Sequence, residues 1–305
     1  MRNEFCQAVC RLSGRDDFVF LTGDLGFKAL EPLRDAAGPR FINAGVAEQN
    51  MVSVAAGLAR TGLHPWVYSI APFAYARPFE QIRNDVCLHD LGIVIVGNGG
   101  GYGYGVMGAT HHALEDYGAL CTLQNLRAYV PAFNADVAPL VEALHALPHP
   151  AYLRLGLGEE PKGVELPPYA PWRKLLDGGG PALLVAGPLA GGIFDAARAL
   201  DPARRPAMWV VSELPIADLP PAFLADVRRA DHLLVAEEHV PTGGVGPAVA
   251  QRLLEAGAAP RRFAHRAARG YPSGLYGSQR FHRRECGLDP AAILAALATA
   301  SPETP

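Results

Sequence analysis

A single glutamate, Glu48, stands at the head of a segment that is otherwise built of small and apolar residues. The segment begins Asn43-Ala-Gly-Val-Ala-Glu48-Gln-Asn-Met51 and continues through valine, alanine, glycine and leucine to Ala59. This composition predicts a buried helix, and the first turn of a helix favours a carboxylate because its N–H groups are free. An acid at the edge of a dry pocket tends to hold a proton and to donate a strong hydrogen bond. We therefore expect Glu48 to act as an acid in a buried site, with simple helix capping as the alternative.

Two adjacent histidines, His111 and His112, follow a glycine-rich stretch over 97–108. The stretch contains a formal GxGxxG match at 103–108, but more glycines separate it from the preceding strand, so nicotinamide binding is not favoured. Zinc is not favoured either, because sequence neighbours point in different directions and no third and fourth ligands follow at metal-like spacing. The glycines instead allow the backbone to pass close to a ligand and to present at least one histidine to it.

Short apolar runs alternate with helical segments along the first half of the chain. This pattern predicts a mostly parallel sheet that is covered by helices on both faces. The predicted strands are 18–21, 65–68, 92–96, 127–130 and 151–155. The loops that follow the carboxyl ends of such strands gather at one edge of the sheet, so Asp24, Phe73 and the histidine pair are expected there.

A proline- and glycine-rich stretch interrupts this pattern, and a second set of apolar runs follows at 182–186, 207–211 and 232–236. We predict an α/β protein with two doubly wound domains. The first domain is 1–158, the linker is 159–180, and a second, smaller α/β domain is 181–305.

Composition excludes several classes of protein. With 305 residues, half of them hydrophobic, the chain can bury a large core. Its net charge of -3 gives no general attraction to nucleic acid or to anionic membranes. The longest uncharged stretch, 91–114, is interrupted by glycine and histidine, so no membrane span is expected. Charges near the N-terminus and only five cysteines favour an unexported protein of the reducing cytoplasm.

Several motifs carry a resemblance to a known family. The chain resembles the C-terminal half of the transketolase family of thiamine diphosphate enzymes, which consists of a pyrimidine-binding domain and a C-terminal domain. The motifs are TGDLG, NAGVAEQNM, SIAPF with FEQIRND, GATHHALED and, in the second domain, AEEHVPTGGVG. The resemblance covers nearly the whole chain and implies transfer of a two-carbon ketol unit from a ketose donor to an acceptor.

The family's other half is not matched. In the family, a Gly-Asp-Gly motif helps to hold the cofactor's diphosphate and its Mg²⁺, whereas here Gly23-Asp24 is followed by Leu25. The resemblance therefore implies one subunit of a split transketolase, with no metal site of its own. The diphosphate and Mg²⁺ are expected on an N-terminal transketolase subunit, in a heterotetramer with two copies of each chain.

The resemblance also implies roles for individual residues. Glu48 matches the glutamate that hydrogen-bonds N1′ of the cofactor's aminopyrimidine, and Phe73 the aromatic residue that stacks on that ring. His111 matches a catalytic histidine that contacts the substrate's reacting oxygen. Ile70 and Met107 complete the positions predicted to face the cofactor.

Substrate binding is implied for four residues, namely Arg2 near an acceptor phosphate, Asp24 in a substrate loop, His111, and His112 as its assistant. Four positions depart from sugar transketolases, and one of them is Ile70, which replaces a common aromatic residue. Met107 replaces an aspartate that contacts a hydroxyl group of the donor substrate, and Gly99 replaces a histidine that faces the substrate. Leu157 replaces a phosphate-binding arginine, and Arg154 lies nearby in the sequence but out of register. These losses disfavour the usual pentose phosphates as substrates and indicate that the protein acts in a specialised pathway.

Two alternatives remain open at the level of sequence. One is a β-type subunit of a 2-oxo-acid dehydrogenase-like enzyme, which passes a two-carbon acyl or glycolyl unit to a lipoyl or carrier-protein thiol. The other is a scaffold that keeps the fold and binds no cofactor.

Overall fold

Two sheets organise the chain, and their central strands are the apolar runs identified in the sequence. The computed structural model describes residues 1–26 and 29–298. Seven strands form the first sheet: β1 Phe18–Thr22, β2 Phe41–Asn43, β3 His64–Ile70, β4 Val94–Asn98, β5 Arg127–Tyr129, β6 Ala151–Leu155 and β10 Glu213–Leu214. Five form the second: β7 Trp172–Leu176, β8 Ala182–Ala186, β9 Ala207–Val211, β11 His232–Ala236 and β12 Arg262–Arg266.

The helices lie between these strands in the order expected of doubly wound sheets. In the first part they are α1 Arg2–Leu12, α2 Glu31–Ala37, α3 Glu48–Ala59, α4 Ala71–Tyr75, α5 Phe79–Gln81, α6 Asp116–Leu120 and α7 Val137–His145. In the second part they are α8 Ala190–Arg198, α9 Pro221–Ala230, α10 Val245–Glu255, α11 Gln279–Glu285 and α12 Pro290–Ala298. The helix expected through 79–86 is short, because α5 continues as a π-helix over Ile82–Cys87.

The first sheet has the order β10-β5-β6-β4-β3-β1-β2, and all neighbours are parallel except β10, which runs antiparallel to β5. Alternate residues of its strands face opposite layers. Phe18, Phe20 and Trp66 pack with α1 and α7, whereas Val19, Leu21 and Val67 pack with α3 and α4. The predicted α/β class with mostly parallel sheets is confirmed.

The carboxyl ends of the central strands lie side by side. Thr22 pairs with Tyr68, Ile70 with Asn98, and Asn98 with Leu155. The loops that leave β1, β3 and β4 therefore begin at one edge of the sheet, which is the arrangement that the sequence predicted.

Several edge elements were absent from the sequence prediction. The segment assigned to the linker, 159–180, contains β7, which pairs antiparallel with β9. Strands β7 and β12 mix basic with apolar side chains, as edge strands often do, so they lack the apolar run of a central strand. The chain also returns to the first sheet through β10. The first unit, built on the first sheet, and the second unit, built on the second sheet, are therefore joined by backbone pairing. The end of the predicted second domain, 299–305, lies outside the described residues.

Within the described ranges, no helix is both long enough and apolar enough to cross a lipid bilayer.

A buried ion pair joins the first sheet to α6 and, through a further hydrogen bond, to the second unit. Arg154 on β6 donates from Nε to Asp116 Oδ2 at 2.8 Å, and both side chains are almost fully buried. Its Nη2 also donates to the carbonyls of Ala113 at 2.7 Å and Glu238 at 3.0 Å. Arg154 is thus committed to holding the fold.

We expect Arg154→Met to lower the free energy of unfolding by about 3–5 kcal/mol, because Asp116 would be left buried without its charge partner. Denaturant unfolding measures this loss. The matched control is Arg127→Met, which removes an exposed arginine from neighbouring β5 and should change stability by less than about 0.5 kcal/mol. Adding Asp116→Asn to Arg154→Met should recover part of the loss, and equal losses in both arginine variants would contradict the assignment.

Candidate active site

Glu48 is the first residue of α3 and lies at the carboxyl edge of the first sheet. The turn before it is closed by Asn43, whose Oδ1 accepts from the N–H of Gly45 at 3.0 Å. Gly45 has a φ of +70°, a conformation that favours glycine. Glu48 is 3% exposed, and Ser69 Oγ donates to its Oε1 at 3.3 Å. The carboxylate is therefore held in a buried position by local backbone geometry and by the end of β3.

Glycine at position 23 allows the loop after β1 to approach this carboxylate. A Cβ placed there would lie 3.3 Å from Glu48 Oε1 and 3.5 Å from the carbonyl oxygen of Gly45. Contacts of 3.0–3.4 Å are tighter than nine in ten real Cβ contacts, so a side chain at Gly23 would require Glu48 to move by a few tenths of an ångström.

An arginine that the sequence did not identify contacts the acid. Arg77 Nη1 donates to Glu48 Oε1 at 2.9 Å and to Oε2 at 2.8 Å. A charge-assisted contact of this kind is stronger than a neutral hydrogen bond, and it brings a positive charge to the acid that the sequence led us to expect at an apolar pocket. The sequence offered no local signal for the pair, because the two residues are 29 positions apart.

Phe73 and His111 complete a row of side chains that begins at Glu48. The guanidinium carbon of Arg77 lies 3.8 Å from the centroid of the Phe73 ring. On α4, the Phe73 ring meets the His111 ring edge to face, with centroids 5.3 Å apart. The structure thus brings together the predicted acid, the predicted aromatic surface and one of the two predicted histidines.

His111 belongs to the segment that follows β4 and is partly exposed. Its Nδ1 lies 2.9 Å from Thr110 Oγ1, and its ring is 5.8 Å from that of Tyr104. Tyr104 OH accepts a hydrogen bond from Asn98 Nδ2 at 2.8 Å. Burial raises the pKa of Tyr104, and this hydrogen bond and the nearby charge of Arg2 partly offset that rise. Arg2 therefore lies within electrostatic reach of the ring beside His111.

His112 points the other way, into the contact between the two units, and is 4% exposed. Its Nε2 donates to the carbonyl of Gly105 at 2.8 Å, so its Nδ1 accepts from Tyr271 OH at 2.9 Å. Burial lowers the pKa of His112, which favours this neutral form. Both ring nitrogens are used within the protein, and this placement does not support the substrate contact predicted for His112.

Glu238 of the second unit holds the middle of the glycine-rich segment. Its Oε1 accepts from the backbone N–H of Tyr102 at 2.7 Å, while Arg283 Nε donates to Oε2 at 2.7 Å and Gln279 Nε2 to Oε1 at 3.0 Å. Gly101 has a φ of +65°, and a Cβ there would lie 2.6 Å from Glu238 Oε1, so both the backbone conformation and the space favour glycine. The AEEH motif signalled this residue in the sequence, but its contact with the His111 segment is visible only in the structure.

The other predicted site residues lie at the carboxyl ends of strands of the first sheet or in the loops that follow them. Asp24 has a φ of +57°, and its Oδ1 accepts from Asn43 Nδ2 at 2.8 Å. Ile70 ends β3 beside Asn98 of β4. Met107 lies in a 3₁₀ turn after the glycines and is 54% exposed. Among residues 1–26 and 29–298, no group of three or more His, Cys, Asp or Glu side chains is arranged to hold a metal ion.

Comparison with known proteins identifies relatives that span both units. A family profile described as "Transketolase, pyrimidine binding domain" matches residues 1–159. One subunit of an apulose-4-phosphate transketolase from Phocaeicola vulgatus is 29% identical over 83% of this chain and 83% of its own length. The corresponding subunit from Actinobacillus succinogenes is 30% identical over 84% of this chain and 83% of its own length.

A 1-deoxy-D-xylulose-5-phosphate synthase from Myxococcus xanthus is 33% identical over 86% of this chain, but the match spans 44% of that longer protein. Among solved structures, "Split gene transketolase, inactive beta4 tetramer" superposes with a TM-score of 0.79 at 28% identity, covering 98% of this chain and 97% of that one. The chain belongs to the transketolase family and corresponds to the C-terminal subunit of a split transketolase.

Proposed function

We propose that this chain is the pyrimidine-binding subunit of a split transketolase that transfers a two-carbon ketol unit from a ketose to an acceptor. Membership of the family implies dependence on thiamine diphosphate. The observation that carries the proposal is the row formed by Glu48, Phe73 and His111 at the carboxyl edge of the sheet. These residues provide an acid, an aromatic face and a hydrogen-bonding group close to one another.

The residues present fit the aminopyrimidine end of the cofactor. Arg77 already places a planar group with N–H donors between the face of Phe73 and the oxygens of Glu48. An aminopyrimidine is also planar, and its ring nitrogen N1′ either accepts a hydrogen bond from the Glu48 carboxyl or, once protonated, donates one back to the carboxylate. The same two surfaces therefore suit it. Ser69 and Gly23 already lie against Glu48 Oε1, which limits the orientations that a ring can take there.

When bound, thiamine diphosphate supplies a nucleophilic carbon and an electron sink for the transferred unit. Glu48 would share a proton with the ring nitrogen N1′, because a buried carboxyl can hold that proton where water cannot compete. Phe73 would fix the plane of the ring. His111 would donate a hydrogen bond toward the reacting oxygen of the substrate, where negative charge develops.

The diphosphate and Mg²⁺ are assigned to a partner. The 305 residues contain no Gly-Asp-Gly motif, and the described residues hold no metal-binding cluster. The similar chain whose structure is described as an inactive beta4 tetramer supports a need for a second kind of subunit. We infer an N-terminal transketolase subunit that carries the diphosphate-binding domain, in a heterotetramer with two copies of each chain.

The acceptor side differs from that of sugar transketolases. Leu157 is 54% exposed where the resemblance places a phosphate-binding arginine, and Arg154 cannot replace it because it is buried with Asp116. Arg2 near Tyr104 remains available to an anionic acceptor. This reduced set of cations supports a specialised substrate, and the relatives named for apulose-4-phosphate make a phosphorylated ketose one donor to test.

We expect Glu48→Gln to lower kcat by at least about 100-fold in the complex of both subunits, because the amide cannot exchange a proton with N1′. Ketol transfer from a ketose to an aldehyde measures kcat, and circular dichroism checks that the variant folds. Glu80→Gln replaces an exposed glutamate on α5 and serves as the control, with activity near that of the wild type. Near-normal turnover in Glu48→Gln would refute the role of this acid.

A reconstitution experiment tests the need for a partner. We expect thiamine diphosphate with Mg²⁺ to be retained by the mixture of the two subunits after gel filtration and to be lost from this chain alone. Consumption of a ketose together with an aldehyde would support ketol transfer, whereas loading of a dithiolane or a carrier thiol would favour the 2-oxo-acid dehydrogenase-like alternative. A mixture that forms a complex but retains no cofactor would favour the scaffold alternative.

A further inference from the structure

Arg77 occupies the two surfaces that the proposed function reserves for the cofactor's pyrimidine ring. Its Nη1 donates to both oxygens of Glu48, at 2.9 and 2.8 Å. Its guanidinium carbon lies 3.8 Å from the centre of the Phe73 ring, the distance of direct stacking. A guanidinium and an aminopyrimidine cannot both fill this space, because each needs the same ring face and the same carboxylate oxygens.

The local chain geometry makes this contact easy to form. Phe73 is in α4 and Arg77 follows it by four residues, a spacing that places two side chains on the same side of a helical segment. Pro78 follows directly, so the segment between α4 and α5 is restricted at that point. The side chain of Arg77 therefore reaches back over Phe73 toward the head of α3.

The two members of the pair differ in their access to water. The side chain of Glu48 is 3% exposed and that of Arg77 is 42% exposed. A buried carboxylate needs a partner at all times, but a half-exposed guanidinium loses little when it moves into solvent. An incoming ring that shares a proton from water with Glu48 can therefore replace Arg77 without leaving either charge buried and alone.

We propose that Arg77 competes with the aminopyrimidine of thiamine diphosphate for Glu48 and Phe73, and so sets the affinity of the subunit for its cofactor. This inference rests on the proposed function. On binding, the ion pair between Arg77 and Glu48 is exchanged for the hydrogen bond between Glu48 and N1′. One proton taken up from water is shared by these two groups, and the Arg77 side chain turns outward. The pair keeps the buried carboxylate satisfied until the ring arrives.

Calorimetric titration of thiamine diphosphate into the Mg²⁺-containing complex of both subunits tests the competition. We expect Arg77→Ala to lower the Kd by roughly 10-fold, about 1.4 kcal/mol, because the ring no longer displaces an ion pair. Arg83→Ala is the matched control. It removes another arginine that follows α4, one that contacts Asn84 and not Glu48, and should leave the Kd unchanged.

Chemical labelling of Arg77 gives a second readout that does not depend on turnover. Phenylglyoxal modifies accessible guanidinium groups, and mass spectrometry measures the rate at Arg77. In the wild-type complex, thiamine diphosphate should increase that rate by releasing the side chain. In this chain alone, Glu48→Gln should also increase it without any cofactor, because the ion pair is lost.

Three outcomes would overturn the proposal: an unchanged Kd in Arg77→Ala, a raised Kd in that variant, or slower labelling of Arg77 when the cofactor binds. A raised Kd would show that Arg77 is instead a ligand of the cofactor. Failure of the proposed function has a different signature, since neither the wild-type complex nor Arg77→Ala would then take up thiamine diphosphate. That result would overturn both inferences, whereas equal binding by both proteins overturns the competition alone.

Discussion

A buried carboxylate that must always have a partner is the constraint on which this site depends. Glu48 is shielded by the head of α3, the loop after β1 and the end of β3, so water cannot solvate it freely. Removing one partner of a buried charge is costly, so the site accepts only groups that donate hydrogen to the carboxylate oxygens or share a proton with them. The aromatic face of Phe73 further restricts the groups that the site can bind to planar ones. Glu48 and Phe73 together therefore determine the shape and the hydrogen-bonding pattern of the group that the site can bind.

The second unit contributes to this site through the glycine-rich segment that carries His111. Two neighbouring glutamates of the second unit form hydrogen bonds with different parts of the protein. Glu238 holds the backbone of Tyr102, whereas Glu237 accepts from the first N–H groups of α10 and from His265 at 2.7 Å. Burial opposes ionisation of Glu237, yet these hydrogen bonds leave its pKa lowered. The position of His111 therefore depends on residues that lie far away along the chain.

Local signals were enough to predict much of the architecture. The start of α3 at Glu48 follows from a turn-forming segment before a small apolar run, and the central strands follow from uninterrupted apolar stretches. The meeting of Phe73 with the His111 segment follows from the rule that parallel strands deliver their loops to one edge. Edge strands such as β7 and β12 were missed because basic residues interrupt their apolar pattern.

The remainder of the site depends on contacts between distant residues. Adjacent histidines must point in different directions, but spacing alone does not decide which faces the site, and the structure turns His112 toward Tyr271. Arg154 was noted only as an arginine out of register, although it pairs with Asp116 within the fold. Arg77 was overlooked because an arginine before a proline resembles any exposed charge until its partner is known.

The most direct test of the account is the distance between N1′ of thiamine diphosphate and the Glu48 carboxylate in a crystal structure of the two-subunit complex with Mg²⁺. We predict a hydrogen bond of about 2.6–3.0 Å, with the ring stacked on Phe73 and the diphosphate bound by the partner. A cofactor whose pyrimidine lies away from Glu48, or whose diphosphate and metal are both held by this chain, would contradict the account.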